Sequence, residues 1–462
     1  MKKRANNKQS NHNSKALKEK ALKVSIKEGI AASLSTNVGD GYIIPAALAV
    51  NATSTQIGFL SSFSLFLYQL SQILGVKLMG IFPRKKVVLY FVILQAIMWL
   101  FISAVIFAVW KGWFDGYSIW LLIASYSILM ALGGVSHPGW FSWMGDIVPD
   151  ETRGQYFAKR NRIVSSFGIT MAIIAALFLD YFKTKGYALL AFSILFTLAS
   201  LFKFVSYIYL HKQYAPHYVQ KKKDYFSLIS FIERFDNFGK FAIYQGAFNF
   251  AIMIASPFFS VYMLRELGFS YTIFIATSVS YTIFYLLLLS FAGKFSDKYG
   301  NKKLTIIANI FFVLTPIFYI IFKSPLWIIL IPQLTAAIAN AASVISFSNF
   351  IYDSVKPNHR GLCAAYTNVI VGVGILLGAI TGGLIVDYWH PSSVNPYIFV
   401  FSIAVILRLS VALIFLPSIK EVKKVKNLPS NLHFLTALTH YLHIEHAKTA
   451  HFHGKFLGKF TK

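Results

Sequence analysis

The sequence predicts an all-α polytopic membrane protein, with twelve transmembrane helices in two pseudo-symmetric six-helix bundles. Three observations carry this. First, 56% of the 462 residues are hydrophobic and only 13% are charged. The charge sits in islands between apolar runs of about 20 residues, the length that a hydrocarbon layer roughly 30 Å thick requires. Second, these runs are apolar all round and lack the alternation of barrel strands, so helices, which satisfy their own backbone groups, are the expected form. Third, charged residues recur in register. Asp146, Arg153, Gly154, Asn161, Asp180 and Tyr181 reappear 207 positions later as Asp353, Arg360, Gly361, Asn368, Asp387 and Tyr388. A membrane protein made of two copies of one helical unit is most often a transporter with its site where the copies meet.

The predicted spans are 28–50, 55–76, 87–110, 117–145, 162–182, 187–210, 239–264, 270–292, 303–322, 326–350, 362–386 and 396–418. They divide the chain into a basic N-terminal tail (1–27), a six-helix bundle (28–210), a linker (211–238), a second bundle (239–419) and a basic, His-rich tail (420–462). Lys221, Lys222 and Lys223 open the polar linker, and its partly apolar stretch from Tyr225 to Ile232 reads as an interfacial helix.

The net charge of +27 is set by placement rather than by a nucleic-acid groove. The two tails and the even-numbered loops, counted with Arg162, Lys240 and Lys303 at the adjoining span edges, carry 37 Lys and Arg, against 5 in the odd-numbered loops. By the positive-inside rule both termini are cytosolic, in a plasma-membrane protein whose basic face meets anionic lipid. No nucleic acid is expected as a partner, and a monomer is expected. Residues 1–27 lack the apolar core of a secretory signal. The single cysteine, Cys363, excludes an intrachain disulfide and a cysteine metal cluster, and reads as a packing residue. No cofactor or metal is expected.

Taken in order, span 1 carries Asn37, Asp40 between two glycines, and Pro45. Span 7 repeats the asparagine–proline spacing with Asn249 and Pro257, and the prolines predict kinks at matching depth. Span 4 places His137 and Trp140 three apart, around Pro138. Span 7 also places Gln245 and Asn249 four apart, and span 10 places Gln333 and Asn340 seven apart, so each set shares a face. Asp40 is the one acidic residue near the middle of a span. A carboxylate there costs about 2.5–3.5 kcal/mol on insertion scales, so Asp40 is the candidate for taking up and releasing a proton as solute moves. Its structural alternative is a cap at a Gly-rich helix break.

Lys203 in span 6 and Arg408 in span 12 are the cations read inside spans. Snorkelling or structural pairing is the expected role for both, and a cation reaching the cavity would instead favour an anionic substrate. Small residues along span 11, Gly374, Gly378, Ala379, Gly382 and Gly383, predict close helix packing. In the C-terminal tail, His433, His440, His443 and His446 share one helical face, opposite Leu435, Leu438 and Leu442. Docking on the membrane surface is the plain reading, with metal binding by the histidine row as the alternative.

The loop between spans 8 and 9 contains Gly293, Asp297, Lys298, Gly300 and Lys302. It resembles the G-x-x-x-D-[RK]-x-G-x-[RK] signature of the major facilitator superfamily, at the expected position. The loop from Asp146 through Pro149 to Arg153 and Gly154 is similar to a second segment common in that family. The resemblance covers about residues 28–419. It implies that spans 1, 4, 7 and 10 line a central cavity, with Asn37, Asp40, His137, Trp140, Gln245, Asn249, Gln333 and Asn340 as the substrate-side candidates. It also implies a cytosolic gate drawn from Gly293, Asp297, Lys298, Gly300, Asp146, Arg153, Asp353 and Arg360. The first half departs from the signature, because Met79 stands where an acidic residue belongs. An asymmetric gate is therefore expected, with Asp297 carrying the acidic role alone and Arg153 as a candidate partner.

The expected function is a secondary active transporter moving a small solute by alternating access, with protons as the coupling ion. The alternatives are a transporter-like scaffold or ligand sensor, and a proton-independent facilitator. An enzyme is not expected, since no paired carboxylates, nucleophile elbow or zinc motif is present. The absence of a G-x-x-x-x-G-K-[ST] stretch argues against a nucleotide-driven pump.

Overall fold

The computed structural model describes residues 2–113, 117–148, 153–216, 231, 236–355 and 360–422. These residues are helical almost throughout. Eleven helices among them are long and apolar enough to cross a membrane, and an interrupted helix at the start makes the twelfth. Large apolar side chains such as Leu177, Leu287, Phe291, Leu377 and Ile406 point outward, as they must where the surrounding solvent is lipid.

The first span is α1 (Lys2–Val38), a 3₁₀ turn (Asp40–Tyr42) and α2 (Ile43–Ala49). Spans two to six are α3 (Ser54–Met79), α4 (Arg84–Trp110), α5 (Ser118–Ile147), α6 (Arg153–Thr184) and α7 (Ala188–Lys212). The seventh is α8 (Asn237–Met253) followed by α9 (Ser256–Val261) and a π turn (Tyr262–Glu266). Spans eight to twelve are α10 (Tyr271–Tyr299), α11 (Asn301–Ile321), α12 (Pro325–Ser354), α13 (Arg360–Asp387) and α14 (Pro396–Phe415).

The duplication read from charged residues recurs in the packing. In the first half α1 packs on α6 and α7, while α4 packs on α5 and α7. In the second half α8 packs on α13 and α14, while α11 packs on α12 and α14. Both expected kinks are full breaks, at Gly39–Tyr42 before Pro45 and at Ile254–Ala255 before Pro257. At the first break a Cβ on Gly39 would enter the Trp99 ring, so only glycine lets the chain approach α4 this closely.

By contacts the chain forms two units. One is Met1–Lys222 with Pro257–Ala276, and the other is Lys223–Ser256 with Thr277–Lys462. The boundary thus runs through the broken seventh span rather than only through the polar linker. Within the first unit, Asp180 of α6 caps the start of α10: its carboxylate accepts from the Tyr271 and Thr272 amides at 2.8 Å each and from the Thr272 hydroxyl at 2.6 Å. A carboxylate is favoured at such a helix start. Arg265 in the same unit donates to the Ala52 carbonyl at 2.6 Å.

The second unit has an aromatic core. Phe241 stacks on Phe350 with ring centroids 4.1 Å apart, and Tyr244, Phe248 and Phe312 continue the cluster. Close packing also accounts for the glycines of span 11. A Cβ on Gly374 or Gly378 would strike the Gly246 or Phe250 backbone of α8. Cys363 is buried in this core. The stretch 225–232 expected to lie on the membrane surface is outside the described residues except for Phe231, whose ring is buried against Phe238 and Tyr366. The histidine row at 433–446 is also outside them.

Candidate functional site

A cavity of about 510 Å³ lies inside the first bundle, among α1, α3, α4, α5, α6 and α7. Its size falls in the roughly 300–1,000 Å³ range of small-molecule sites. Its walls are mostly apolar and aromatic, yet Glu28, Asp40, Arg160 and Lys203 all face it.

The scaffold around it is tied by buried hydroxyls. Ser35 of α1 donates to the Ala199 carbonyl at 2.7 Å, and Tyr42 donates to the Ala172 carbonyl at 2.6 Å. Ser200 donates to the Ala96 carbonyl at 2.7 Å. Each bond joins two helices where water cannot compete, so each holds a wall in place.

Asp40 sits on the 3₁₀ turn, where the chain leaves α1. The Tyr126 hydroxyl donates to it at 3.2 Å, and Trp99 lies beside Tyr126 with centroids 6.4 Å apart. Lower on α1, Glu28 forms a buried ion pair with Arg160 of α6 at 3.1 Å and accepts from Ser206 of α7 at 3.0 Å. Arg160 also donates to the Ser25 carbonyl and hydroxyl at 3.3 Å each, and its guanidinium lies 5.1 Å from the Trp140 ring centroid. Lys203 lies within electrostatic reach of both carboxylates.

Several placements differ from the sequence expectation. Asp40 is not the sole acidic residue inside the first bundle, because Glu28 joins it. Its signal was the face Ala21, Ser25, Glu28, Ala32 and Ser35 at three- and four-residue spacing. The neighbouring Lys27 and a span boundary drawn at 28 hid that face. Arg160, assigned to a basic loop, is buried within the bundle. Lys203 lines the cavity instead of snorkelling. Asn37 does not join Asp40. Its amide donates to the Ser33 carbonyl at 2.9 Å and faces Gly168 of α6, because the helix ends at Val38 and the shared face ends with it.

His137 and Trp140 line the cavity, with His137 6.1 Å from the Tyr68 ring. Trp143 is fully buried and donates to the Tyr214 carbonyl at 2.9 Å, as a packing residue would. In the second half, Gln333 donates to the Tyr319 hydroxyl at 2.7 Å. Asn249 and Asn340 donate to their own helices, at the Gln245 and Ala336 carbonyls, and Gln245 is buried. Arg408 is buried too. It donates to the carbonyls of Ala251 at 3.3 Å, Ile252 at 2.8 Å and Phe312 at 2.6 Å. It thus satisfies backbone groups released where the seventh span breaks.

The loop residues form a repeated clasp. Arg84 at the start of α4 pairs with Asp146 at the end of α5. Asn301 at the start of α11 donates to Asp353 at the end of α12 at 2.8 Å. Gly300 has φ of 97°, a conformation glycine adopts without strain, and turns the chain into α11. Gly293 lies in α10 with open space around it, and Asp297 and Lys298 are exposed. Met79 packs in the interior near Gly139. Arg153 and Arg360 begin α6 and α13.

Two stretches, residues 30–236 and 241–452, match the sequence model of the Major Facilitator Superfamily. The chain belongs to the major facilitator superfamily. Solved members of similar shape are transporters of varied cargo. A mutant of the nucleoside transporter NupG is 16% identical, with a TM-score of 0.64 over 86% of this chain and 100% of that one. A bacterial homologue of the iron transporter ferroportin, in an inward-facing state, is 12% identical, with a TM-score of 0.64 over 87% and 99%. A POT family transporter in complex with 5-aminolevulinic acid is 13% identical, with a TM-score of 0.65 over 87% and 97%. At these identities the likeness shows the superfamily fold alone. No curated protein matches the chain in sequence.

Proposed function

We propose that this superfamily member is a secondary transporter that carries a small solute by alternating access and couples it to proton movement at Asp40. The observation that carries the reading is the placement of Asp40. It stands on an unwound turn of a membrane span, faces a cavity, and lies within reach of Lys203. Broken spans whose ends face a buried site are the recurrent transporter solution for holding solute and coupling ion. Any proton at Asp40 is felt by Tyr126, Lys203 and, through Lys203, the Glu28–Arg160 pair. On the basic-loop side, the Arg84–Asp146 and Asn301–Asp353 clasps support a gate in which Asp297 of the signature loop also acts. The basic loops orient both termini to the cytosol of a plasma-membrane monomer.

The test is reconstitution into vesicles with a solute panel and an imposed pH gradient. Wild-type protein should accumulate its solute against concentration. Asp40→Asn should lose that accumulation and keep solute exchange. Equal accumulation by both proteins removes Asp40 from coupling, and no flux for any solute removes transport.

A further inference from the structure

The charged groups of the first bundle's cavity are not equally satisfied. Glu28 has Arg160 and Ser206, and Asp40 has the Tyr126 hydroxyl. Arg160 has Glu28 and Ser25. Lys203 faces the same space and, among the described residues, has no ion pair or hydrogen bond. An ammonium carries three donors and no acceptor, so what Lys203 lacks is an acceptor, and an ionised one bonds a cation most strongly. With Asp40 ionised the four charges sum to zero, and the balance changes when Asp40 takes up a proton. The Glu28–Arg160 pair cancels internally, and a protonated Asp40 leaves Lys203 as a single net positive charge. Aromatic rings line the cavity with it: Trp99 and Tyr126 near Asp40, Tyr68 beside His137, and Trp140 beside Arg160. Such faces suit a planar or aliphatic body. With Asp40 protonated and Glu28 held by Arg160, a cationic solute would meet Lys203 as a like charge in a site shielded from water, where repulsion is strong.

We propose that this cavity binds a small organic anion, its carboxylate on Lys203 and its apolar body against Trp99 and Tyr126. The proposal rests on the transport reading for its purpose, but binding can be measured without flux. It also makes Asp40 and Lys203 a unit. A monoanion entering with a proton on Asp40 fills a cavity whose charges then sum to zero, so loading both together costs less than loading either one.

The experiment uses the full-length protein purified in detergent. Ligand binding is read by tryptophan fluorescence and by thermal stabilisation, since a ligand of the folded state raises its melting temperature. The probes are benzoate, phenylacetate and 4-phenylbutyrate, each beside the amide and the primary amine of the same skeleton. At least one carboxylate should bind about tenfold or more tighter than its amide and amine. Lys203→Met should reduce that affinity to the level of the amide, and Lys203→Arg should restore most of it. Equal affinity across the three head groups overturns the proposal, as does preference for the amine, no binding by any carboxylate, or full binding by Lys203→Met. If Lys203→Met does not fold, the head-group order in the wild type and in Lys203→Arg decides. The two readings fail separately. Carboxylate binding that depends on Lys203 without vesicle uptake refutes transport and keeps the site. Uptake of solutes with no carboxylate preference refutes the site and keeps transport.

Discussion

The sixth and twelfth spans each carry one cation into the membrane interior, and the two halves of the molecule treat it in opposite ways. In the first half Lys203 opens onto a cavity and has no bonded partner among the described residues. In the second half Arg408 is packed beside an aromatic core, with three backbone carbonyls as acceptors. The side-chain chemistry suits each place. A guanidinium presents several fixed donors and can satisfy carbonyls on two helices, whereas an ammonium is a compact charge on a flexible stem, available to a ligand. Duplication supplied two equivalent frames, and one kept charge facing open space while the other used it to hold a broken helix together.

That contrast can be broken at several points. The largest effect on stability is expected for Arg160→Met. It strands Glu28 inside the bundle, and removing one partner of a buried pair costs about 3–5 kcal/mol. Adding Glu28→Gln should recover much of the loss, and a double mutant no better than the single would show that the pair is not the cause. Next is Arg408→Met, which leaves the Ala251 and Phe312 carbonyls short of a donor while Ile252 keeps the Ser256 hydroxyl, a loss of about 3 kcal/mol. The matching Lys203→Met removes a charge with no bonded partner and should leave stability unchanged or raised. Equal losses at the two cations would erase the distinction drawn between the halves.

The molecule holds its own reporter for this comparison. Cys363 is the single cysteine and is buried in the second bundle, so a thiol-reactive dye labels it only as that bundle opens. Arg408→Met should speed labelling more than Arg160→Met does. Gly374→Leu forces a side chain into the Gly246 backbone and should cost about 1–3 kcal/mol, again with faster Cys363 labelling. The smallest effect is expected for Asp146→Asn. Its carboxylate is half-exposed, and the buried Arg84 keeps the Ser142 and Pro216 oxygens as acceptors when that charge goes, so the loss should stay at about 1 kcal/mol. Its consequence should be seen in inner-face accessibility rather than in melting temperature.

The architecture was legible because lipid imposes long apolar runs, and because charged residues in register are hard to produce by chance. The site was legible only in part. Asp40 stood out as a carboxylate in an apolar run, and His137 and Trp140 were singled out by their spacing together with the family resemblance, which puts span 4 on the cavity. Glu28 and Arg160 were missed because each lies at a span end beside other charges, where composition cannot separate a solvated residue from one folded inward. Periodicity assigns a face but not what that face meets. Lys203 and Arg408 therefore looked alike, and Gln333 looked like a cavity residue although its amide is bonded to Tyr319. Asn37 was misgrouped for another reason: equal spacing holds only while a helix continues, and this one stops two residues before Asp40.

The opening helix runs for 37 residues without interruption before the turn at Asp40. At 1.5 Å per residue that is roughly 55 Å, well beyond the roughly 30 Å that hydrocarbon occupies. The helix is thus longer than one crossing requires, and Lys18, Lys20, Lys23 and Lys27 follow one another along it before Glu28. A pull on that helix would pass along a continuous hydrogen-bonded rod to the turn that carries Asp40.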